Sequence, residues 1–400
     1  MQTNAPKISS IIMGSLYLLF SFTLSSCTNN ENNEDLITFL KTYEVNGLHV
    51  AGEVLQTEDG GYIVCGSSGS YYTKVELFLL KTDQSGNEEW LKYYEKGVET
   101  YGKSIQHTSD GGYIICGFVG DFFYSPSDIL LLKTDSNGNE IWSRTYDEDD
   151  QDLSYSVQQT NDGGYIICGS TENGRSDIYL LRTDAVGNKM WSRTYSGEGF
   201  DEGRSVQLTS DGAFIMCGWL EDKSGHQSNI FLLKIDDGGN ELWSREYAPA
   251  DHNQGYSVQQ TADGGYIICG NSRFNDDDIF LMKSDNAGNE QWIRYFGGKD
   301  NDYGFYVQQT HDGGYIMCGS GDRRGWLDTE KLILIKTDVW GNVLWYRNSY
   351  LDVNWAMGSC VKQTSDGGFI VTGLFRDVEN NYSLLLFKTD LSGRIGKSPL

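Results

Sequence analysis

Ser156-Val157-Gln158-Gln159-Thr160, Asn161-Asp162-Gly163-Gly164, Tyr165-Ile166-Ile167-Cys168-Gly169 sets two short β-prone runs around an Asp-Gly turn. Asp initiates such a turn and Gly takes the positive φ that the turn needs, so the stretch reads as a β-hairpin. The pattern T-x-D-G-G-[YF]-I-x-C-G is written seven times. Its aspartates are Asp59, Asp110, Asp162, Asp211, Asp263, Asp312 and Asp366, spaced by 51, 52, 49, 52, 49 and 54 residues. The fourth copy reads Asp211-Gly212-Ala213. Only the first glycine is therefore strictly held; it is expected to carry the left-handed residue, while the second is merely small.

A second hairpin follows each first. In the third copy it is Asp177-Ile178-Tyr179-Leu180-Leu181-Arg182-Thr183-Asp184, Ala185-Val186-Gly187-Asn188, then Lys189-Met190-Trp191-Ser192-Arg193-Thr194-Tyr195. One repeat thus holds four short strands in about 50 residues, the size of one propeller blade. No segment keeps a 3.6-residue apolar period, so almost no helix is expected. The 400 residues include 48 Gly, 25 Tyr and 10 Trp but only 4 Pro, which suits an all-β repeat protein. The unbroken repeat argues for one closed unit over the two or three domains that length alone suggests.

The fourth strands can be counted. They begin at Trp90, Trp142, Trp191, Trp243, Trp292 and Trp345, six strands for seven hairpins. The seventh repeat runs through Lys388-Thr389-Asp390 to Gly393 and stops before any such strand, while Phe39-Leu40-Lys41-Thr42-Tyr43 fits the missing pattern with Phe in the Trp slot. The expected fold is an all-β, seven-bladed β-propeller of four-stranded antiparallel blades over residues 37–394, its N-terminal strand closing the last blade, with 395–400 as a tail. The Trp slot is read as core between neighbouring blades.

Residues 1–26 read as an export signal: Lys7 precedes a short apolar run, Ile11 to Leu24, too short and too polar for a stable membrane span. Leu24-Ser25-Ser26-Cys27 resembles the lipobox of bacterial lipoproteins, which implies cleavage before Cys27 and its lipidation. Residues 27–36 are polar and acidic, a flexible tether. They resemble the acidic segment of surface-exposed lipoproteins in the Bacteroides group. The membrane partner is therefore expected to be reached through Cys27 at the outer membrane, with the domain at the cell surface.

The run D-I-x-L-L-K-T-D-x-x-G-N-x-x-W resembles the repeat of quinoprotein-type propellers, in which an Asp, a turn Gly and a docking Trp recur in each blade. It also resembles the Asp box of sialidase-type propellers, with Asp-to-Gly spacing one residue longer. The likeness covers about a third of each repeat and implies the fold rather than the chemistry. With no vicinal Cys pair and no recognisable ligand set, no quinone and no other cofactor is expected. Propeller lipoproteins of the outer-membrane barrel-assembly machinery are similar in architecture.

Cys65, Cys116, Cys168, Cys217, Cys269 and Cys318 share one slot, and Cys360 sits in a slot that holds Ser in other copies. Equivalent positions in neighbouring blades are too far apart for disulfides, so the cysteines read as small core residues. The five histidines have no ligand spacing, and the Thr-Asp-x-x-Gly-Asn turns lack the carboxylates of a calcium loop; no metal is expected. A net charge of −25 excludes nucleic acid and a bare anionic bilayer as partners. A monomer is expected.

Function is expected at the face opposite the uniform turns, where loops vary between copies. One slot just before the first strand, facing the axis, reads Gly52, Lys103, Tyr155, Arg204, Tyr256, Phe305, Ser359. With Tyr71, Tyr72, Tyr124, Trp219, Trp326 and Trp355 in loops and links, this suits stacking of a sugar or peptide. No G-x-S-x-G, P-loop or H-E-x-x-H occurs. The leading expectation is therefore a non-enzymatic binding or scaffold module for glycan or protein. The alternatives are a glycan-active hydrolase or lyase using carboxylates such as Asp121, Glu172, Asp222, Asp277 or Asp302, and an accessory lipoprotein of outer-membrane assembly.

Overall fold

The first glycine of every Asp-Gly turn takes a positive φ, between 79° and 84°, in the computed structural model. This structure describes residues 37–396 except 45–47, 71–72, 98, 121–125, 149–150, 173, 275, 324–329, 349–354 and 378–380. The turn is locked by its aspartate. Asp59 Oδ1 accepts from Thr57 Oγ1 at 2.5 Å and from the Gly61 N–H at 2.9 Å, and the other copies repeat the arrangement. A buried cation from the third strand completes it. Lys81, Lys133, Arg182, Lys234, Lys283, Lys336 and Lys388 each reach the aspartate of their own repeat at 2.6–3.0 Å. In the fourth copy the Lys234 ammonium, the Thr209 hydroxyl and the Ala213 N–H hold the Asp211 carboxyl at about 2.

The second glycine is more than small. A Cβ at Gly61 would lie 2.1 Å from the Thr82 carbonyl oxygen and 2.7 Å from Lys81 Nζ, and five other copies are as tight. Ala213 shows that one repeat gives way enough for a methyl group.

Each repeat forms one antiparallel run of four strands. In the third these are Gln151–Gln159, Tyr165–Glu172, Ser176–Thr183 and Lys189–Tyr195. The second and third strands of a run are buried on both faces, which is why YIIC and ILLL read as continuous apolar stretches. The 28 strands make an all-β, propeller-like fold. Two pairs of runs are joined by single parallel contacts, Gln151 with Ser127 and His252 with Ser228. The core is divided to match: seven hydrophobic clusters each span two consecutive runs, one of them combining Phe39, Val54, Tyr62 and Phe78 with Cys360, Ile370 and Leu384. The seven described cysteines are buried and free, and burial pushes thiols such as Cys168 up.

The outer strands dock by one rule. Each Trp lies on the Gly of the next run's Gly-Asn turn, where an added Cβ would meet the ring at 2.6–3.1 Å. In four of the six a tyrosine four residues on donates its hydroxyl to that glycine's carbonyl, as Tyr146 does to Gly187 at 2.6 Å; after Trp292 the position is Phe296 and after Trp345 Ser349. The strand Phe39–Tyr43 obeys the same rule from the front of the domain. It pairs antiparallel with Tyr382–Thr389, sets Phe39 against Gly86, and donates from Tyr43 to the Gly86 carbonyl at 2.5 Å.

The first strands touch in succession, and the last, Trp355–Gln363, touches the first, Leu48–Gln56. Side chains stitch them together. Ser104, Ser156, Ser205 and Ser257 accept from the N–H of Val157, Val206, Val258 and Val307 in the following run, and Glu53 accepts from Ile105 likewise. The Ser365 N–H donates to Gln56 Oε1 at 2.8 Å, carrying the stitching from the last run to the first.

Candidate functional site

The variable slot is a β-bulge. Pairing of the first strand with the second slips between Gly102 and Ser104, Ser154 and Ser156, Gly203 and Ser205, Gly255 and Ser257, Gly304 and Tyr306, and Gly358 and Cys360. The residues left out of register are Lys103, Tyr155, Arg204, Tyr256, Phe305 and Ser359; in the first run the slip takes in Gly52 and Glu53. A bulge redirects the extra residue and leaves its neighbours in register. The glycine of Cys-Gly causes it. A Cβ at Gly117, Gly169, Gly218, Gly270 or Gly319 would fall 1.7–1.9 Å from a carbonyl oxygen of the first strand, so only glycine lets the backbones approach this closely.

Two of the bulged side chains, Tyr155 and Tyr256, meet around Arg204 with Trp219 of the second strand. Its guanidinium lies 4.0 Å from the Tyr155 ring centroid, 4.8 Å from Trp219 and 5.5 Å from Tyr256. Phe305 closes the far side, edge-on to Tyr256 at 5.6 Å and parallel to Tyr303 at 6.4 Å. Tyr256 is fixed by its hydroxyl, which donates to Gln254 at 2.9 Å. Glu202, two residues before the bulge, forms an ion pair with Arg204. Arg204 Nε, a buried atom, has no hydrogen-bond partner among the described residues. Both side chains keep about a quarter of their surface open.

Lys103 joins the group by charge. Its ammonium lies over Phe118 at 5.6 Å. Burial, and next the Arg204 charge, bring its pKa down from 10.5 to about 8. Burial raises Tyr155 to about 12 against the pull of Arg204. The bulged positions therefore bring a lysine of lowered pKa and a fixed cation into one electrostatic group among aromatic side chains. A second charged group on the inner strands is mutually satisfied. Lys362 Nζ lies 3.8 Å from Glu53 and 4.9 Å from the Tyr306 ring, and Glu53 also accepts from Ser104 at 2.7 Å. Among the described residues, no three His, Cys, Asp or Glu side chains converge to hold a metal ion.

Other expected site residues lie elsewhere. Trp355 is edge-on to Tyr382 at 5.5 Å and packs on the cluster shared by the last and first runs. Tyr71, Tyr72, Tyr124 and Trp326 lie outside the described residues, as do Asp121 and Cys27. Three of the suggested carboxylates serve structure. Asp302 accepts from the Gly298 N–H at 2.9 Å, Asp222 from the His226 and Gln227 N–H groups, and Asp277 from Arg273 and Tyr303. Glu202 and Phe118 were missed. Trp219 pairs in register with Glu202, which the position of the bulge would have revealed.

No protein-family model matches the chain, and comparison with curated proteins found no match. Among solved structures, the chain is similar to the periplasmic gluconolactonase PpgL of Pseudomonas aeruginosa, at 10% identity over 89% of this chain and 97% of that one, with a TM-score of 0.53. It is similar also to Sqt1 of Chaetomium thermophilum, at 9% identity over 88% and 100%, with a TM-score of 0.51. At such identity the likeness shows the fold alone. The expectation of a non-enzymatic binding or scaffold module is corrected here: it rested on missing sequence motifs, and a structural neighbour named as a gluconolactonase removes that ground, since such a fold carries an enzyme there.

Proposed function

We propose that this protein is a hydrolase of a small sugar-derived ester or lactone, working in the axial pocket of a closed seven-bladed propeller with Lys103 as the proton-transfer group. Seven clusters between consecutive runs, the docking of Phe39 on Gly86 and the bond from Ser365 to Gln56 favour seven blades in a ring. The observation that carries the catalytic reading is Lys103: half-buried at a bulge, its ammonium over Phe118, its pKa brought down to about 8 by burial and next by the Arg204 charge. A base is most useful when its pKa lies near the working pH.

In this reaction neutral Lys103 Nζ takes a proton from a water molecule as the water oxygen bonds to the carbonyl carbon. The bond from that carbon to the ester oxygen then breaks, and the ammonium returns the proton to the leaving oxygen. An acid and an alcohol result, and the lysine is restored. Tyr155 and Tyr256, half-buried on either side of Arg204, supply the remaining aromatic surface for a sugar ring. The name of the Pseudomonas protein, a gluconolactonase, suggests the first substrates to try. With a panel of five- and six-membered sugar lactones in a pH-stat, the wild type is expected to hydrolyse at least one, with a rate that rises through a pKa near 8. Lys103→Met should lower the rate by about 100-fold or more. No rate above buffer for any lactone, or an unchanged rate in the variant, sinks the reading.

We propose further, from the sequence, that residues 1–26 are removed, Cys27 is lipidated, and 27–36 tether the domain (37–394) to the outer membrane. Mass spectrometry of the exported protein should find a lipid-modified N-terminal Cys27; an unmodified one speaks against the anchor.

A further inference from the structure

We propose that the substrate of the axial pocket carries an anionic group, a carboxylate or a phosphate ester on a sugar-sized ring, and that Arg204 receives it with Lys103 alongside. The proposal rests on the reading that this pocket is the reaction site, and it goes further by naming the substrate's charge.

The first argument is a count of local charge. The chain carries −25 overall, and its buried cations are otherwise matched: seven pair with turn aspartates, and Lys362 pairs with Glu53. In the axial group two cations face one carboxylate, Glu202. Two adjacent like charges in a partly desolvated pocket repel each other. Packing does not demand them, because the same bulge holds Gly52, Ser359, Tyr or Phe in the other runs. An unmatched cation at a position free to be neutral is a recognition feature rather than a structural one.

The second argument is the way Arg204 is held. Three aromatic rings fix its guanidinium through their faces, an attraction that uses none of its N–H donors. Glu202 takes the Nη2 end of the guanidinium in an ion pair, and about a quarter of the Arg204 side chain stays open. A planar guanidinium immobilised by rings, with part of its surface open beside a single carboxylate, suits the two oxygens of a carboxylate or of a phosphate ester.

The test is calorimetric titration of the purified full-length protein with D-galacturonate, D-glucose 6-phosphate and, as neutral control, D-galactose. At least one acid is expected to bind about tenfold or more tightly than galactose, and the preferred acid tells carboxylate from phosphate. At pH 8 binding should take up protons, since a bound anion favours the charged form of Lys103, and Lys103→Met should remove that uptake. Arg204→Gln should weaken the acid about tenfold or more; if this variant melts early, Arg204→Lys, which keeps the charge but not the fork, should weaken it too. Equal binding of galactose and both acids, no binding of either acid, or acid binding unchanged in both Arg204 variants overturns the proposal. Anion binding without lactone hydrolysis would defeat only the catalytic reading. Hydrolysis of neutral lactones without acid preference would defeat only this one.

Discussion

Deleting residues 37–43 is expected to abolish cooperative folding. The segment is five paired residues long, but it does three things at once. It covers the edge of Tyr382–Thr389, it buries Phe39 to 5% exposure against Gly86 and Tyr62, and it donates the Tyr43 hydrogen bond to Gly86. Losing a buried phenylalanine alone costs about 3–5 kcal/mol. An open sheet edge beside an unfilled cluster adds to that and invites strand exchange between molecules. Domain stability is commonly about 5–15 kcal/mol, so the sum takes most of it. Phe39→Trp is the matched control. It restores the residue that the other six repeats use, and its cost is expected to stay under about 1.5 kcal/mol. A single sharp unfolding transition in the deleted protein, near that of the wild type, would show that the strand is an appendage.

Gly218→Ala should cost about 3 kcal/mol and disable the axial pocket together. The added Cβ would lie 1.9 Å from the Glu202 carbonyl oxygen, backbone against backbone, with no flexible side chain to swing aside. The strand bearing Glu202, Gly203 and Arg204 must shift, and with it the guanidinium between Tyr155, Trp219 and Tyr256. Gly264→Ala separates steric approach from backbone preference. Gly264 has φ +83° but nothing within 4 Å of an added Cβ, so its cost should be about 1 kcal/mol, from the left-handed conformation alone. Denaturant unfolding of the two variants reads both numbers. A loss below about 1 kcal/mol at Gly218 would mean that the close approach does not create the bulge.

These two glycines mark what could be read before the structure. Gly264 belongs to a turn whose signal lies within four consecutive residues, so the sequence alone suffices. The docking strand Phe39–Tyr43 was legible because a regular repeat makes an absence countable. Gly218 was visible as a recurring letter, but its reason lies across the hairpin, in the carbonyl of Glu202, and depends on a register slip that no local rule announces. For the same reason Arg204, Tyr155, Tyr256 and Phe305 could be picked as one slot, while Glu202 and the role of Trp219 could not. The second turn glycine was misjudged because the Thr82 carbonyl that crowds Gly61 comes from the following hairpin. Asp302 and Asp222 were offered as reactive acids because a carboxylate that caps its own loop four residues away has the same letter as a free one.

The axial pocket stands or falls on Lys103. Reductive methylation with 13C-formaldehyde places a label on each lysine, and the Lys103 signal can be assigned by its absence in Lys103→Met. Followed by NMR against pH, that signal should titrate near 8 and move back toward 10.5 in Arg204→Gln, because part of the depression comes from the Arg204 charge. A midpoint near 10.5 in the wild type, unmoved by the Arg204 change, would place Lys103 in open solvent and leave the pocket without its proton-transfer group.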